Sequence, residues 1–341
     1  MRSSAERARP GRGRVGAVLA AAVLALSACS ANGGTEGVDG QTTSTASTTD
    51  TASPTDAATT TATPTTTTAT TTTPPPPPEL PGGGRTIFPT YRLVGFSGHP
   101  GSPALGRLTG DLDVAATRMA EQAVPYAEDR QVLPVFELIA TVAHPFPTEE
   151  GDYSGRSSDE LIQDHLDAAR RAGALLLLNI QPGRADFLPE VRAYEKWLRE
   201  PDVGVALDPE WAVGPSGIPG EVYGQTTGTE LDSVATYLAR LVAEHNLPEK
   251  VMVYHQVAAS VVVDEQLLLP HPGVVPIKSV DGIGSQAEKE TTWDRLMEAK
   301  PAHVHPGFKL FYEEDLRTGG PLMTPEQVLD LTPLPEYVLY E

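Results

Sequence analysis

From residue 91 onward, short apolar runs alternate with amphipathic stretches. The apolar runs are "YRLVGFS" (91–97), "VLPVFELIA" (132–140), "ALLLLNI" (174–180), "VGVALD" (203–208), "KVMVYH" (250–255), "VVPIKSV" (274–280), "GFKLFY" (307–312) and "EYVLY" (336–340). Most are continuous rather than alternating, which is the pattern of parallel strands buried on both faces. The stretches between them carry helix signals. Ser157 with Glu160 reads as a capping box ahead of "LIQDHLDAARRAG", and Gly173 fits the end of that helix. Ser285 with Glu288 reads as a second box, and Thr324 with Pro325 and Gln327 as a third. Thr229 is placed to cap "ELDSVATYLARLVAEHN", where Leu231, Val234, Leu238, Leu241 and Val242 recur at helical spacing. In "EVRAYEKWLRE" (190–200), Val191, Tyr194 and Leu198 do the same. "SVVVDEQLLL" (260–269) is read as a helix because a strand must follow at 274.

Eight strands alternating with helices over residues 85–341 predict an α/β fold, a (β/α)8 TIM-type barrel whose last helix is missing because the sequence stops at Glu341. The competing architecture, a doubly wound open sheet, expects a glycine-rich dinucleotide turn after the first strand. "GHPGSPALG" (98–106) has its glycines in another pattern and no lysine to cradle a phosphate.

The chain ahead of this domain has a different composition. Arg2, Arg7, Arg9, Arg12 and Arg14 precede the apolar stretch "VGAVLAAAVLAL" (15–26), which is too short to span a bilayer stably and has the flanks of a secretory signal. "LSAC" (26–29) closes it and resembles the lipobox of bacterial lipoproteins. That resemblance implies a signal peptide at 1–28, cleavage before Cys29, a thioether-linked lipid on Cys29 and an acylated new N-terminus. Cys29 is the sole cysteine, so no intramolecular disulfide is possible. Residues 29–84 are then expected to be a disordered Thr/Pro-rich linker: the stretch has almost no apolar side chain larger than alanine and ends in five prolines. Such composition often carries O-linked sugars.

The whole chain carries a net charge of −20, and without residues 1–28 it keeps 20 basic against 44 acidic residues, or −24. This excludes nucleic acid and an anionic membrane face as direct ligands, and it suits a monomeric extracytoplasmic domain that touches the membrane only through its lipid.

In a β/α barrel the chemistry collects where strands end and the following loops begin. Those positions are Ser97 and His99; Glu137, leading to His144; Asn179 and Gln181; Asp208, Glu210 and Trp211; His255 and Gln256; Lys278 and Asp281; Lys309 and the "YEED" run (312–315); and Tyr340. Asp208 and Glu210 stand out. Residues two apart on a strand share a face with Cα atoms roughly 6.5 Å apart. Carboxyls that close should have their pKa values pushed apart, which makes an acid and a base. A Gly- and Pro-rich loop (211–228) separates them from the next helix, so neither serves as its cap.

The D-x-E at the end of the fourth strand resembles that of β/α-barrel glycoside hydrolases, notably the family 25 lysozyme-type muramidases. The resemblance implies that Glu210 is the general acid and Asp208 its electrostatic partner. The first strand departs from that family, presenting "GFSGHPG" where an aspartate is usual. The longer chitinase motif also ends in D-x-E, but it needs acidic residues where this chain has Val203 and Ala206. The expected catalytic set is therefore Glu210 and Asp208, with Asp281 and Glu137 as further carboxylates. Trp211 serves as a sugar platform beside Asn179, Gln181, His255 and His99 as substrate-binding groups, and Tyr153, Tyr223 and Tyr312 are further candidates for the groove. The expected ligand is a cell-wall or extracellular glycan, with no cofactor and no metal. Two alternatives stand beside this one. His99, His144 and His255 with Glu137, Asp208 and Asp281 could ligate a divalent metal for a phosphodiesterase or deacetylase. The barrel could also bind a glycan or solute without turning it over.

Overall fold

The computed structural model describes residues 76–148 and 151–341. The secretory signal, Cys29 and the linker up to residue 75 lie outside the described residues. Eight parallel strands form the barrel: β1 (Tyr91–Gly98), β2 (Gln131–Ala143), β3 (Leu175–Ile180), β4 (Val203–Leu207), β5 (Lys250–Gln256), β6 (Val274–Val280), β7 (His305–Leu310) and β8 (Tyr337–Tyr340). Each pairs with the next in sequence, and β8 closes the ring on β1 through Leu93 to Phe96 opposite Tyr337 to Tyr340. A short segment, Ser154–Arg156, returns antiparallel along the end of β2.

The alternation along the strands sorts side chains into two cores. One set fills the inside of the barrel, including Leu93, Leu133, Val135, Leu175, Leu177, Ala206, Val251, Val253, Val275, Ile277, Tyr337 and Leu339. Their sequence neighbours, such as Val94, Leu176, Val205, Met252 and Val338, face the surrounding helices. This two-sided burial is why the strands read as unbroken apolar runs. Gly204 holds one inward position where a methyl group would lie 2.6 Å from Val251 O and 2.8 Å from a Leu177 methyl, so the crowded interior leaves no room for a side chain. The floor of the barrel is closed by Leu80 and Ile87 with Phe88 against them, which places the start of the packed chain ahead of the boundary expected at residue 85.

The helices are α1 (Leu112–Ala123), α2 (Asp159–Arg171), α3 (Phe187–Ala193), α4 (Glu195–Leu198), α5 (Gly228–His245), α6 (Gln286–Met297) and α7 (Pro325–Leu329). The boxes at Ser285/Glu288 and Thr324/Gln327 are both formed, and Gly173 takes the left-handed backbone after α2. Among the described residues no helix is long and apolar enough to cross a membrane.

Four local expectations change, and one helix, α1, falls where no particular element was expected. Helix α1 carries no strong apolar stripe: its buried face is Ala115, Met119 and Ala123, and only the Asp111 cap marks its start. Ser158 rather than Ser157 caps α2, because the Ser157 amide is still bonded to Ala140 O at the rim of β2. Thr227 rather than Thr229 caps α5, accepting from Glu230 N. The helix expected over 190–200 breaks at Tyr194, whose buried hydroxyl meets Thr141 Oγ1 at 2.7 Å and donates to Ala140 O at 2.9 Å, where the pairing of β2 with β3 shifts register.

The helix expected over 260–269 is absent. Val262–Val263 pairs with Thr226–Thr227 instead, Asp264 is left-handed at φ 50°, and Glu265–Leu267 makes a single tight turn. The reason lies on the outer face of β5 and β6, where Tyr254 and Lys278 are fully buried. Glu265 meets both, accepting from the Tyr254 hydroxyl and sitting 2.8 Å from Lys278 Nζ. A loop can deliver that carboxylate, whereas an apolar helix stripe would leave the ammonium unpaired.

Candidate active site

Each strand turns polar on its inward side toward or just past its C-terminal end. After at least one inward residue that is apolar or glycine come Ser97, Glu137, Asn179, Asp208, His255, Ser279, Lys309 and Glu341, and Asp281 follows Ser279 on the same side. All but Glu341 are buried. The result is a polar layer across the C-terminal mouth, resting on the apolar barrel interior.

Its contacts are specific. Asn179 Nδ2 donates to Glu137 Oε1 at 3.0 Å and to Asp208 Oδ1 at 3.1 Å, and Gln181 Nε2 donates to Asp208 Oδ2 at 3.2 Å. The other end of Gln181 accepts from Ala143 N, which locks its amide orientation. Tyr337 donates its hydroxyl to Glu137 Oε2. His255 lies between carboxylates, with Nδ1 2.8 Å from Asp281 Oδ2 and Nε2 3.0 Å from Glu137 Oε1 and 3.8 Å from Asp208 Oδ1. The contact to Glu137 is close but off the line of a hydrogen bond. Ser279 Oγ donates to Asp281 Oδ1 at 2.7 Å. Lys309 Nζ is 3.3 Å from Asp281 Oδ2 and 2.9 Å from Glu341 Oε2, to which Ser97 also donates.

Asp208 and Glu210 do not share a strand face. The strand stops at Leu207, Asp208 follows it, and Pro209–Trp211 forms a 3-10 turn. Proline at the first turn position removes an amide that a continuing strand would use and sets φ for the turn. Glu210 still belongs to the cluster, because the charges of Asp208, Asp281 and His255 all act on it. Its residue is partly exposed, yet Oε2 is buried with no hydrogen-bond partner. The backbone here is tied down by Gly224 N to Glu210 O at 2.6 Å, Val213 N to Gly183 O at 2.9 Å and Arg184 Nε to Gly217 O at 2.8 Å.

The carboxyls divide into two kinds. Burial pushes Glu137 up, but His255, Lys309 and the Tyr337 hydroxyl outweigh it and hold the group below its ordinary range. Burial likewise opposes Asp281, and His255, Lys309 and Ser279 bring it down to about 2. Asp208 goes the other way, raised by burial and by Glu137 and Asp281 against the pull of His255 and Lys309. Glu210 is pushed up to about 8, by burial first and then by Asp208 and Asp281. His255 and Lys309 are both raised well above their ordinary values, since the surrounding carboxylates overcome the cost of burial.

These shifts imply a pH dependence of stability. Glu210 binds its proton up to about 8 in the fold but only to 4.5 when free, so its contribution is complete below 4.5 and is lost as pH rises through about 8. Asp281 works in the opposite sense, contributing above 3.8 and losing that contribution as pH falls through about 2. The unfolding midpoint should therefore decline between about pH 5 and about pH 9, and decline less in Glu210→Gln. Equal slopes in the two proteins would show that Glu210 is not held neutral.

The other expected site residues separate. Asn179 and Gln181 orient Asp208, and His255 faces carboxylates on both sides. His99 stands apart: its Nδ1 accepts from Gly101 N, and the titratable group acting on it is His165 of α2. His144 stacks on Phe146 with ring centres 4.2 Å apart, outside the cluster. Among the described residues no three His, Cys, Asp or Glu side chains are arranged to hold a metal ion. Trp211 is half-buried at the end of the turn, and Tyr223 is exposed on the loop beyond it. Tyr153 lies under the Arg184 guanidinium, 3.7 Å from its ring centre. Tyr312 instead packs on Tyr340 and Phe96, in the layer between barrel and helices. Ser279, Tyr337 and Glu341 were not among the expected site residues, and Lys309 was noted only as a strand-end residue. Their signal in the sequence is weak: a polar residue two places after an inward apolar one.

No protein-family model matches this chain, and no curated protein sequence matches it.

Proposed function

We propose that the barrel mouth is the active site of a glycoside hydrolase acting on a cell-wall or extracellular glycan. The observation that carries this reading is Glu210, a carboxyl with a buried, unpartnered oxygen and a pKa pushed up to about 8, beside a second carboxylate, Asp208, that two neutral amides hold by one oxygen each. A carboxylic acid that keeps its proton near neutral pH is what protonation of a departing glycosidic oxygen requires. In the proposed reaction the bond from the anomeric carbon to that oxygen breaks as Glu210 gives up its proton. Asp208 acts opposite, either taking a proton from the attacking water or adding to the anomeric carbon before water displaces it. Either route consumes one water: the route through addition restores both carboxyls when Glu210 takes a proton from the displacing water, whereas the base route leaves the proton on Asp208, from which solvent returns it to Glu210. The D-x-E resemblance and the acidic, DNA-averse charge balance support the same class. Trp211 and Tyr223 supply rings at the rim for sugar faces.

Release of reducing ends from a panel of purified cell-wall and matrix glycans, with Glu210→Gln as control, tests the reading. Binding of a glycan without any release would instead identify a glycan-binding barrel.

The same proposal places the domain outside the cell, held by a lipid on Cys29 and spaced from the membrane by the Thr/Pro-rich segment. Two or three acyl chains bind far more firmly than one. Cys29→Ser should therefore release the protein from the membrane fraction or block its processing. A variant that stays with membranes at the wild-type mature size would refute the anchor.

A further inference from the structure

Resting on the hydrolase reading, we propose that His255 is a permanent buried imidazolium that removes Glu137 and Asp281 from the chemistry and leaves Asp208 and Glu210 as the exchanging pair. His255 thus acts as a positioning residue and does not bind substrate. The argument begins with its two nitrogens. Nδ1 is 2.8 Å from Asp281 Oδ2, and Nε2 is 3.0 Å from Glu137 Oε1. A neutral imidazole carries a lone pair on one nitrogen: on Nδ1 it would meet Asp281 Oδ2 head-on, and on Nε2, 3.0 Å from Glu137 Oε1 but off the hydrogen-bond line, it would leave Glu137, Asp208 and Asp281 around an uncharged ring. Two protons avoid that, and no water reaches the ring, which is fully buried.

The groups facing His255 come from every strand around it: Glu137 of β2, Asp208 after β4, Glu210 on the following turn, Asp281 after β6 and Lys309 of β7, with Tyr337 of β8 behind Glu137. Asp281 is enclosed by the imidazolium, the Lys309 ammonium and the Ser279 hydroxyl. Glu137 is enclosed by the imidazolium, the Tyr337 hydroxyl and the Asn179 amide. A carboxylate so surrounded is a poor base and a poor nucleophile. Asp208 differs, because its direct donors are uncharged amides and the nearest imidazole nitrogen is 3.8 Å away. It is fixed in direction but keeps its basicity. Burying a cation beneath the pair also biases both members: His255 favours the ionised form of Asp208 and of Glu210.

The first test needs no activity. In 15N-labelled protein at about pH 8, well above the ordinary histidine pKa, His255 should show both ring N–H protons and two pyrrole-like nitrogen shifts. A single ring proton there overturns the proposal. The second test is the pH profile of kcat/KM on a hydrolysed glycan. His255→Gln removes the cation, so its acidic limb should move up by about one pH unit, because Asp208 then holds its proton more tightly. An unmoved limb overturns the proposal, since a merely structural histidine would lower activity without shifting it. If His255→Gln fails to fold, Asp281→Asn serves, and in it His255 should lose a ring proton at a lower pH than in the wild type; no change there also overturns the assignment. Absence of turnover in the wild type would refute the hydrolase reading and leave the spectroscopic test of His255 intact.

Discussion

Glu210→Gln should lower turnover by about 10²–10⁴, the usual contribution of a positioned acid. Glutamine matches glutamate in shape and can fill the same space, but it has no acidic proton to give a leaving group. The effect should fall on kcat rather than KM, because the proton is transferred in the transition state and not in the bound ground state. The fold should not suffer near neutral pH. The wild-type carboxyl is itself neutral there, so the amide introduces no new desolvation cost. Because Glu210 ionises above 4.5 in the unfolded chain but only near 8 in the fold, the variant should gain on the wild type from about pH 5 upward and reach its full advantage above about pH 8. An activated substrate whose leaving group needs no proton should recover much of the lost rate. If Glu210→Gln hydrolyses an unactivated glycan at the wild-type rate, the acid is not Glu210 and must be sought among the remaining carboxyls of the mouth.

The largest loss of stability is expected at Lys309. The residue is 5 % exposed, its ammonium lies 2.9 Å from Glu341 and 3.3 Å from Asp281, and it is the one lysine in the polar layer. Lys309→Met keeps most of the aliphatic volume and deletes the charge. What remains is a layer with Glu137, Asp208, Asp281 and Glu341 balanced by His255 alone. Breaking a buried pair from one side costs about 3–5 kcal/mol, because the abandoned charge stays in a medium that solvates it poorly. For a domain of this size that is roughly a 10 °C drop in unfolding midpoint. The deficit should narrow as pH falls into the carboxylate range, where the unpaired groups can take up protons instead. Adding Glu341→Gln to Lys309→Met should restore part of the loss, since it removes one of the stranded anions. A Lys309→Met protein that unfolds within about 1 kcal/mol of wild type would mean that the layer is wet enough to screen its own charges.

The alternation of apolar runs with capped helices carried the barrel, because both signals are local. A strand buried on two faces must be apolar throughout, and a helix end must satisfy its own amides whatever surrounds it. Seven of the nine residues that form the polar layer lie where the apolar runs end, Glu137, Asn179, Asp208 and His255 among them; Ser279 and Glu341 do not show in this way. The same local logic failed where a residue answers to a partner far along the chain. Residues 260–269 look helical by themselves, and only Lys278 and Tyr254, waiting buried on the neighbouring strands, turn that segment into a loop that delivers Glu265. Tyr194 interrupts a helix for the sake of Thr141 and Ala140.

The roles within the site were likewise beyond local reading. Asp208 and Glu210 were recognisable as a pair, but the proline turn, not a shared strand face, sets their geometry. Asn179, Gln181 and His255 look like ligand-binding groups in one dimension and prove to be committed to carboxylates in three. Which acid keeps its proton depends on the sum of burial and of charges brought in by as many as four other strands. Sequence determined that polar groups would gather at one end of an apolar barrel. Closure of the ring decided which of them are neutral and which charged, because it brings groups more than a hundred residues apart to within 3 Å of each other at the mouth.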